Sequence, residues 1–265
     1  MTGHYEERGS GPAIVFMHGA VMDRTMFDAQ LADLSDEFRV IAVNHRARTE
    51  RWQGPYDLWD LADDLKAFLD ELGVERAVVA GMSMGGYAAL RFALRYPERT
   101  RGIVMIASTA LPNTPQEQVD FAKEFEKVKD APTVPREWAA WVASVVFGET
   151  TTRQQPELVE SWIEHWMRYS GPSLVEEANC WLVREDLTDR LPEIEVPALI
   201  LHGAEDVAIP IERAAPMEHQ LPDARMVVVE GAGHTVNVEA AREVNDRIRS
   251  FLREVDSDET MPGKH

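Results

Sequence analysis

Gly81-Met82-Ser83-Met84-Gly85 sits between two segments of opposite character. Ahead of it, Ala77-Val78-Val79-Ala80 is a short apolar run of strand type. Behind it, Gly86-Tyr87-Ala88-Ala89-Leu90-Arg91-Phe92-Ala93-Leu94 is rich in helix formers. A serine flanked by glycines where a strand turns into a helix is the pattern of a nucleophile elbow. So tight a corner leaves no room for bulk two positions either side of the serine, and glycine also tolerates unusual backbone angles. The turn holds the Ser83 hydroxyl clear of the sheet, above the unpaired N–H groups of the new helix.

The flanking sequence repeats this alternation. Ala13-Ile14-Val15-Phe16-Met17 reads as a buried strand ending at His18-Gly19, and residues 24–36 carry Met26, Phe27, Leu31 and Leu34 at helical spacing. Arg39-Val40-Ile41-Ala42-Val43 is a second strand. Tyr56 to Leu72 is an amphipathic helix with Leu58, Leu61, Leu65, Phe68 and Leu69 on one face. Gly102-Ile103-Val104-Met105-Ile106-Ala107 follows the Ser83 helix. Continuous apolar strands alternating with helices predict an α/β fold, a mostly parallel sheet covered by helices on both faces.

The rhythm breaks at Leu111-Pro112. Up to about Pro192 no segment reads as a strand, and helical stretches are punctuated by Pro132, Pro135, Pro156 and Pro172. Alternation resumes with Ala198-Leu199-Ile200-Leu201, a helix near 211–221, Met226-Val227-Val228-Val229 and a last helix from about Val238 to Val255. The expected organisation is a core of residues 1–110 and 193–255, a helical insertion over 111–192, and a C-terminal tail over 256–265. The insertion holds five of the seven tryptophans, at 138, 141, 162, 166 and 181. Aromatic stripes at helical spacing are mostly packing. Trp138 and Trp162 are carried forward as candidates to face a ligand.

A serine hydroxyl needs a positioned base to act as a nucleophile. Of the eight histidines, His234 stands in Glu230-Gly231-Ala232-Gly233-His234, between the last strand and the last helix. Loops at the carboxyl ends of parallel strands are where such sheets carry functional groups. Asp206, in His202-Gly203-Ala204-Glu205-Asp206, follows the preceding strand by a similar loop and is the candidate to orient the imidazole. Its competing role is a local cap ahead of Pro210. The chain order serine, aspartate, histidine, each just past a strand, favours the first role. Oxyanion stabilisation requires two backbone N–H donors, assigned to Met84 and Ala20. His18 and His202 are expected to brace strand ends. Met22 and Met82 are candidates for a pliable apolar substrate pocket.

Composition narrows the partners. The net charge of -19, from 46 acidic and 27 basic residues, opposes binding to nucleic acid and to anionic membranes. No window approaches the roughly 18–20 apolar residues of a membrane span. The polar start Met1-Thr2-Gly3-His4-Tyr5-Glu6-Glu7-Arg8 does not read as a secretory signal, and Cys180 is the single cysteine, so no internal disulfide forms. These features are those expected of a cytoplasmic protein. No metal motif and no phosphate loop is present, since Gly9-Ser10-Gly11-Pro12 lacks the third glycine and the following helix.

Taken together, His18-Gly19, Gly81-Met82-Ser83-Met84-Gly85-Gly86, Gly203-Ala204-Glu205-Asp206 with Pro210, and Gly231-Ala232-Gly233-His234 resemble the α/β-hydrolase superfamily. Within it the chain is most similar to small bacterial esterases and cofactor-free haloperoxidases. The resemblance spans residues 13–252 and places the helical insertion where that family carries its cap. It implies nucleophile Ser83, acid Asp206, base His234, oxyanion donors Ala20 and Met84, no cofactor, and a small apolar ester or lactone as substrate. Thioesters, carbon–carbon cleavage and perhydrolysis use the same triad, and a non-catalytic receptor on the same fold is the reading from another class. Two departures stand out. The family's Asp-x-Arg-Gly-x-Gly-x-Ser loop is here Asn44-His45-Arg46-Ala47-Arg48-Thr49-Glu50-Arg51, which leaves His45, Arg46 and Arg48 as either substrate contacts or surface groups. The family's first strand is also expected to be missing, because only Gly3 to Gly9 precede the first glycine-rich turn.

Overall fold

The computed structural model describes residues 4–260. The chain enters the sheet through β1 (Tyr5–Arg8), which corrects the expectation that no strand precedes Gly9. Four residues suffice because each pairs antiparallel with β3 (Arg39–Val43), from Tyr5 opposite Val43 to Arg8 opposite Val40. Glu7 adds a 2.7 Å ion pair to Arg39. A short edge strand reading Tyr-Glu-Glu-Arg is also a poor template for a further strand, because its charges oppose pairing.

The remaining strands are β2 (Ala13–Met17), β4 (Ala77–Met82), β5 (Thr100–Ile106), β6 (Ala198–Gly203) and β7 (Ala224–Val229). They form a seven-stranded sheet in the order β1-β3-β2-β4-β5-β6-β7, parallel apart from β1. Strands β2, β4 and β6 are buried at every residue, which requires cover on both faces. Burying one such aliphatic side chain contributes about 1.5–3 kcal/mol. The edge strand β7 is largely half-exposed, with Val228 at the surface.

In the sheet order β2 is flanked by β3 on one side and β4 on the other, so the chain reverses its direction of travel there. The loops leaving the carboxyl ends of β2 and β4 therefore diverge and open a crevice, the position where open α/β sheets bind ligands. One loop begins at His18 and the other carries Ser83.

Helices α1 (Asp28–Leu34), α2 (Leu58–Glu71) and α3 (Met84–Arg95) belong to the first half of the sheet. The predicted helix over 24–36 is a 3-10 turn at Arg24–Phe27 followed by α1. Between β5 and β6 run only helices: α4 (Pro115–Glu126), α5 (Arg136–Val146), α6 (Glu149–Gln154), α7 (Pro156–Trp166) and α8 (Gly171–Trp181), with a closing 3-10 turn at Thr188–Glu193. Proline occupies the first turn of α4, α7 and α8, where its missing N–H costs nothing. After β6 the expected helix near 211–221 is split into α9 (Ile211–Ala214) and α10 (Met217–Gln220), with Pro216 between them. The last helix is likewise two, α11 (Val236–Glu239) and α12 (Ala241–Thr260). Helix α12 continues into the segment expected to be a tail from Asp256, and residues 261–265 of that segment lie outside the described residues. No helix of the described residues is long and apolar enough to cross a membrane.

Candidate active site

Ser83 occupies a corner with φ 50° and ψ −114°, a conformation that costs a non-glycine residue on the order of 1–3 kcal/mol. Neighbouring backbone locks it there. Its N–H donates to the Ile106 carbonyl at 2.9 Å, and its own carbonyl accepts from Ser108 Oγ at 2.9 Å and from the Gly86 and Tyr87 N–H groups at 2.9 and 3.1 Å. The corner works only because α3 lies against the strand ends. A Cβ on Gly85 would stand 2.0 Å from the Met17 carbonyl oxygen, and one on Gly81 would stand 2.2 Å from the Gly85 backbone. Met84, the residue after the serine, opens α3, so its N–H has no acceptor in a preceding turn.

His234 Nδ1 lies 2.8 Å from Asp206 Oδ2 in a buried pair. A carboxylate there can only accept, so Nδ1 carries the proton and Nε2 is left with its lone pair. Asp206 is fixed in turn, its Oδ1 accepting from the Ala208 and Ile209 N–H groups, each at 2.9 Å. The local-cap reading thus holds for one oxygen, as an Asx turn, while the other oxygen faces the histidine. His202 stands behind, 3.4 Å from Asp206 Oδ2, with its Nε2 donating to the Ile209 carbonyl at 2.8 Å. Burial holds the His202 pKa below the usual value, against the pull of the Asp206 charge. The neighbouring acid, Glu205, turns away and accepts from the Thr150 N–H at 2.8 Å.

Ser83 and His234 line one cavity of about 80 Å³ with Ala20, Met22 and Met82. Its far wall comes from the insertion: Phe121, Phe125, Trp141, Val145 and Trp181. Trp138 and Trp162, the tryptophans named from sequence, do not line it. Trp138 turns towards α4, its indole N–H donating to the Glu124 carbonyl at 2.9 Å, whereas Trp141 three residues on faces the cavity. Trp162 packs at a tilt against His165 and Trp166 inside the insertion, ring centres 5.2 and 5.8 Å apart. Spacing placed these rings on shared helix faces but carried no sign of which edge of a face is lined by substrate space. A larger surface depression of about 750 Å³ between β7 and α12 holds Arg225, Arg242, Asp246 and Arg247 and contains none of Ser83, Asp206 or His234.

His18 braces the loop after β2. Its Nδ1 pairs with the Gly19 carbonyl at 2.8 Å and its Nε2 accepts the His45 N–H at 3.0 Å, which assigns the neutral Nδ1-H tautomer. His45 Nε2 reaches back to the His18 carbonyl at 3.1 Å. Burial, then the neighbouring His45, holds His18 well below the ordinary histidine pKa, and burial pushes His45 down to about 4. An unfolded chain takes up the His45 proton as pH falls below about 6.5, while the folded chain refuses it until about pH 4. The stability that neutral His45 contributes is therefore complete above pH 6.5 and is lost as pH falls towards 4. The difference in unfolding free energy between the wild type and His45→Gln is expected to change across that window by about 1.4 kcal/mol per pH unit. A constant difference from pH 6.5 to 4.5 in denaturant titrations would exclude a buried neutral His45.

Sequence reasoning missed Glu239. Its Oε2 accepts from the Gly148 and Gly233 N–H groups at 2.9 and 3.0 Å, and its Oε1 from the Thr235 N–H at 3.1 Å and hydroxyl at 2.8 Å. One buried carboxylate thus ties the His234 loop to the start of α6. In sequence it is one more acid in an amphipathic stretch, and nothing distinguishes it there. The atypical loop after β3 splits three ways: His45 is buried under His18, Arg46 pairs with Asp64, and Arg48 is buried against Glu177 of α8. None of the three lines the cavity.

A sequence model of the alpha/beta hydrolase fold matches residues 12–241. The chain belongs to the α/β-hydrolase family. This α/β hydrolase is 29% identical to the AB hydrolase superfamily protein YisY of Bacillus subtilis, over 93% of each chain. It is 27% identical to the bifunctional esterase/perhydrolase DCH of Acinetobacter calcoaceticus, over 91% of this chain and 92% of that one. Among solved structures, a thermophilic esterase from Thermogutta terrifontis superposes with a TM-score of 0.87 at 32% identity, covering 95% of this chain and 93% of the other.

Proposed function

We propose that this α/β hydrolase is a serine carboxylesterase acting through an acyl-enzyme. Ser83 is the nucleophile, His234 the base and then the acid, Asp206 its orienting partner, and the N–H groups of Ala20 and Met84 the oxyanion donors. The observation that carries the reading is the His234 ring, held at Nδ1 by Asp206 and bordering the same cavity as Ser83. In the first half-reaction Ser83 Oγ attacks the ester carbonyl as its proton passes to His234 Nε2. The tetrahedral intermediate collapses when His234 returns that proton to the departing alkoxide. In the second, His234 takes a proton from water, the resulting hydroxide attacks the acyl carbonyl, and the proton goes back to Ser83 Oγ as the acid leaves. The helical insertion over 111–192 acts as the cap and supplies the acyl wall.

Cavity size bears on the substrate. The cavity is narrow beside Ser83 and its lining is apolar apart from Ser83, Tyr87, Asn113 and His234, which favours a short apolar acyl part, with Met22 and Met82 yielding to small differences in shape. Lactones are internal esters of the same reactivity and fall within the reading. Initial rates on p-nitrophenyl esters from acetate to laurate, with Ser83→Ala protein as the control, test both claims. The expected profile peaks at acetate to butyrate and falls at least about tenfold in kcat/KM once the acyl chain outgrows the pocket, since a single misfitting methylene in an apolar pocket costs about 1–3 kcal/mol. A peak at laurate would remove the short-acyl claim. Tight binding of esters without serine-dependent turnover would favour the receptor reading.

A further inference from the structure

Three consecutive residues after Ala20 are each held by groups outside their own loop. The Val21 N–H donates to Glu177 Oε2 of α8 at 2.7 Å. The Met22 carbonyl accepts from Arg48 Nε at 2.8 Å. Asp23 Oδ2 is met by His165 Nε2 of α7 at 2.7 Å and by the Tyr169 hydroxyl at 2.8 Å. Arg48 closes the circuit, with Nη2 3.0 Å from Glu177 Oε2 and its guanidinium 4.1 Å above the Tyr169 ring centre. Arg48 and Glu177 side chains are 5% and 1% exposed, so the pair is shut away from water.

The backbone shows what this arrangement holds. Val21 has φ +59°, a left-handed conformation that a β-branched residue avoids. Val21 takes that angle inside a turn closed by the Met22 N–H donating to the Gly19 carbonyl at 3.2 Å; without an acceptor for its own N–H it would leave the left-handed region and open the turn in which the Ala20 N–H sits one peptide upstream. Stability alone is a weak reason to keep such a pair. A buried ion pair often contributes no more than apolar residues of the same volume, and Glu177 Oε1 is buried without a hydrogen-bond partner among the described residues.

We propose that Glu177 and Arg48 are positioning residues that hold the Ala20 N–H in its oxyanion-binding orientation, so that the helical insertion assembles the oxyanion site as well as walling the cavity. The proposal rests on the esterase reading and on Ala20 as an oxyanion donor. It also gives a role to the departure from the family loop after β3, where Arg48 is neither a substrate contact nor a surface group.

The test is the double variant Arg48→Met/Glu177→Leu, compared with wild type, Glu177→Gln, and Glu160→Ala, which breaks the exposed Arg136–Glu160 pair elsewhere in the insertion. The double variant removes both charges at similar volume, so it is expected to unfold within a few degrees of wild type. Its kcat is expected to fall about 10- to 100-fold with KM within about threefold, the signature of a misplaced transition-state donor. Affinity for an alkylboronic acid, whose tetrahedral adduct on serine places an oxygen at the oxyanion position, should fall by a similar factor. Glu177→Gln keeps an acceptor for the Val21 N–H and should retain more kcat than the double variant, while Glu160→Ala should match wild type. A double variant with wild-type kcat and boronate affinity would overturn the proposal and leave the network structural. Should the double variant not fold, Arg48→Lys decides: it keeps the charge beside Glu177 but lacks the guanidinium fork that reaches both Glu177 and the Met22 carbonyl, so a several-fold loss of kcat and boronate affinity at constant KM supports the proposal, and no loss overturns it. Full turnover by Ser83→Ala would instead sink the esterase reading itself, and the proposal with it.

Discussion

Ser83→Ala is expected to abolish ester turnover, lowering kcat by about 10,000-fold or more, while the protein melts at its usual temperature. The loss follows from chemistry: alanine offers no atom to carry the acyl group, and His234 activates nothing in its place. The unchanged stability follows from the contacts. Every hydrogen bond that locks residue 83 is made by its backbone, through the Ile106 carbonyl, Ser108 Oγ and the Gly86 and Tyr87 N–H groups, and alanine keeps them all. The strain at φ 50° also persists, because alanine tolerates that angle no better than serine. Ser83→Gly separates the two effects. It should be equally inactive yet more stable by about 1 kcal/mol, since glycine relieves the positive φ and loses little else. Retention of a tenth of the wild-type rate by the alanine variant would mean that another group attacks the substrate, and the assignment of Ser83 would fall.

What the sequence made legible were the features that recur on the scale of a few residues. Apolar runs such as Ala13–Met17 and Ala77–Met82 announce strands buried on both faces, and glycines at 81 and 85 announce a corner where backbones nearly touch. Ser83, Asp206 and His234 were readable because each follows a strand, and parallel strands bring their carboxyl ends to one edge of the sheet. The same rule put Ala20, on the loop after β2, on the wall of the same cavity. The misses are of another kind. Whether Trp138 or Trp141 faces the cavity depends on where α5 lies over α4, and no local pattern sets that docking. Arg48 and Glu177 are 129 positions apart, and Glu239 meets Gly148 across 91. Each looks like a solvated charge until the fold buries it against a partner. Edge strand β1 was missed because its pairing with β3, and not its own apolar content, keeps it in the sheet.

Asp206→Asn is expected to lower kcat by about 1,000- to 10,000-fold with little effect on folding. Asparagine is nearly isosteric, and its carbonyl oxygen can still accept from the Ala208 and Ile209 N–H groups, so the turn before α9 keeps its shape. That fit points the amide NH2 at His234 Nδ1, where Asp206 presents a carboxylate oxygen 2.8 Å away. Two donors cannot share the contact, so the imidazole moves its proton to Nε2 and loses the lone pair that should deprotonate Ser83. The carboxylate that would stabilise the imidazolium is gone as well. Glu205→Gln supplies the contrast, because Glu205 is a stronger candidate by charge than by geometry. Its carboxylate is spent on the Thr150 N–H, and glutamine can accept that bond equally well, so kcat should stay within about threefold of wild type. Parallel kcat measurements on the two variants decide between the neighbours. A severe loss in Glu205→Gln with a mild one in Asp206→Asn would show that the loop rearranges in solution to present the other acid to His234.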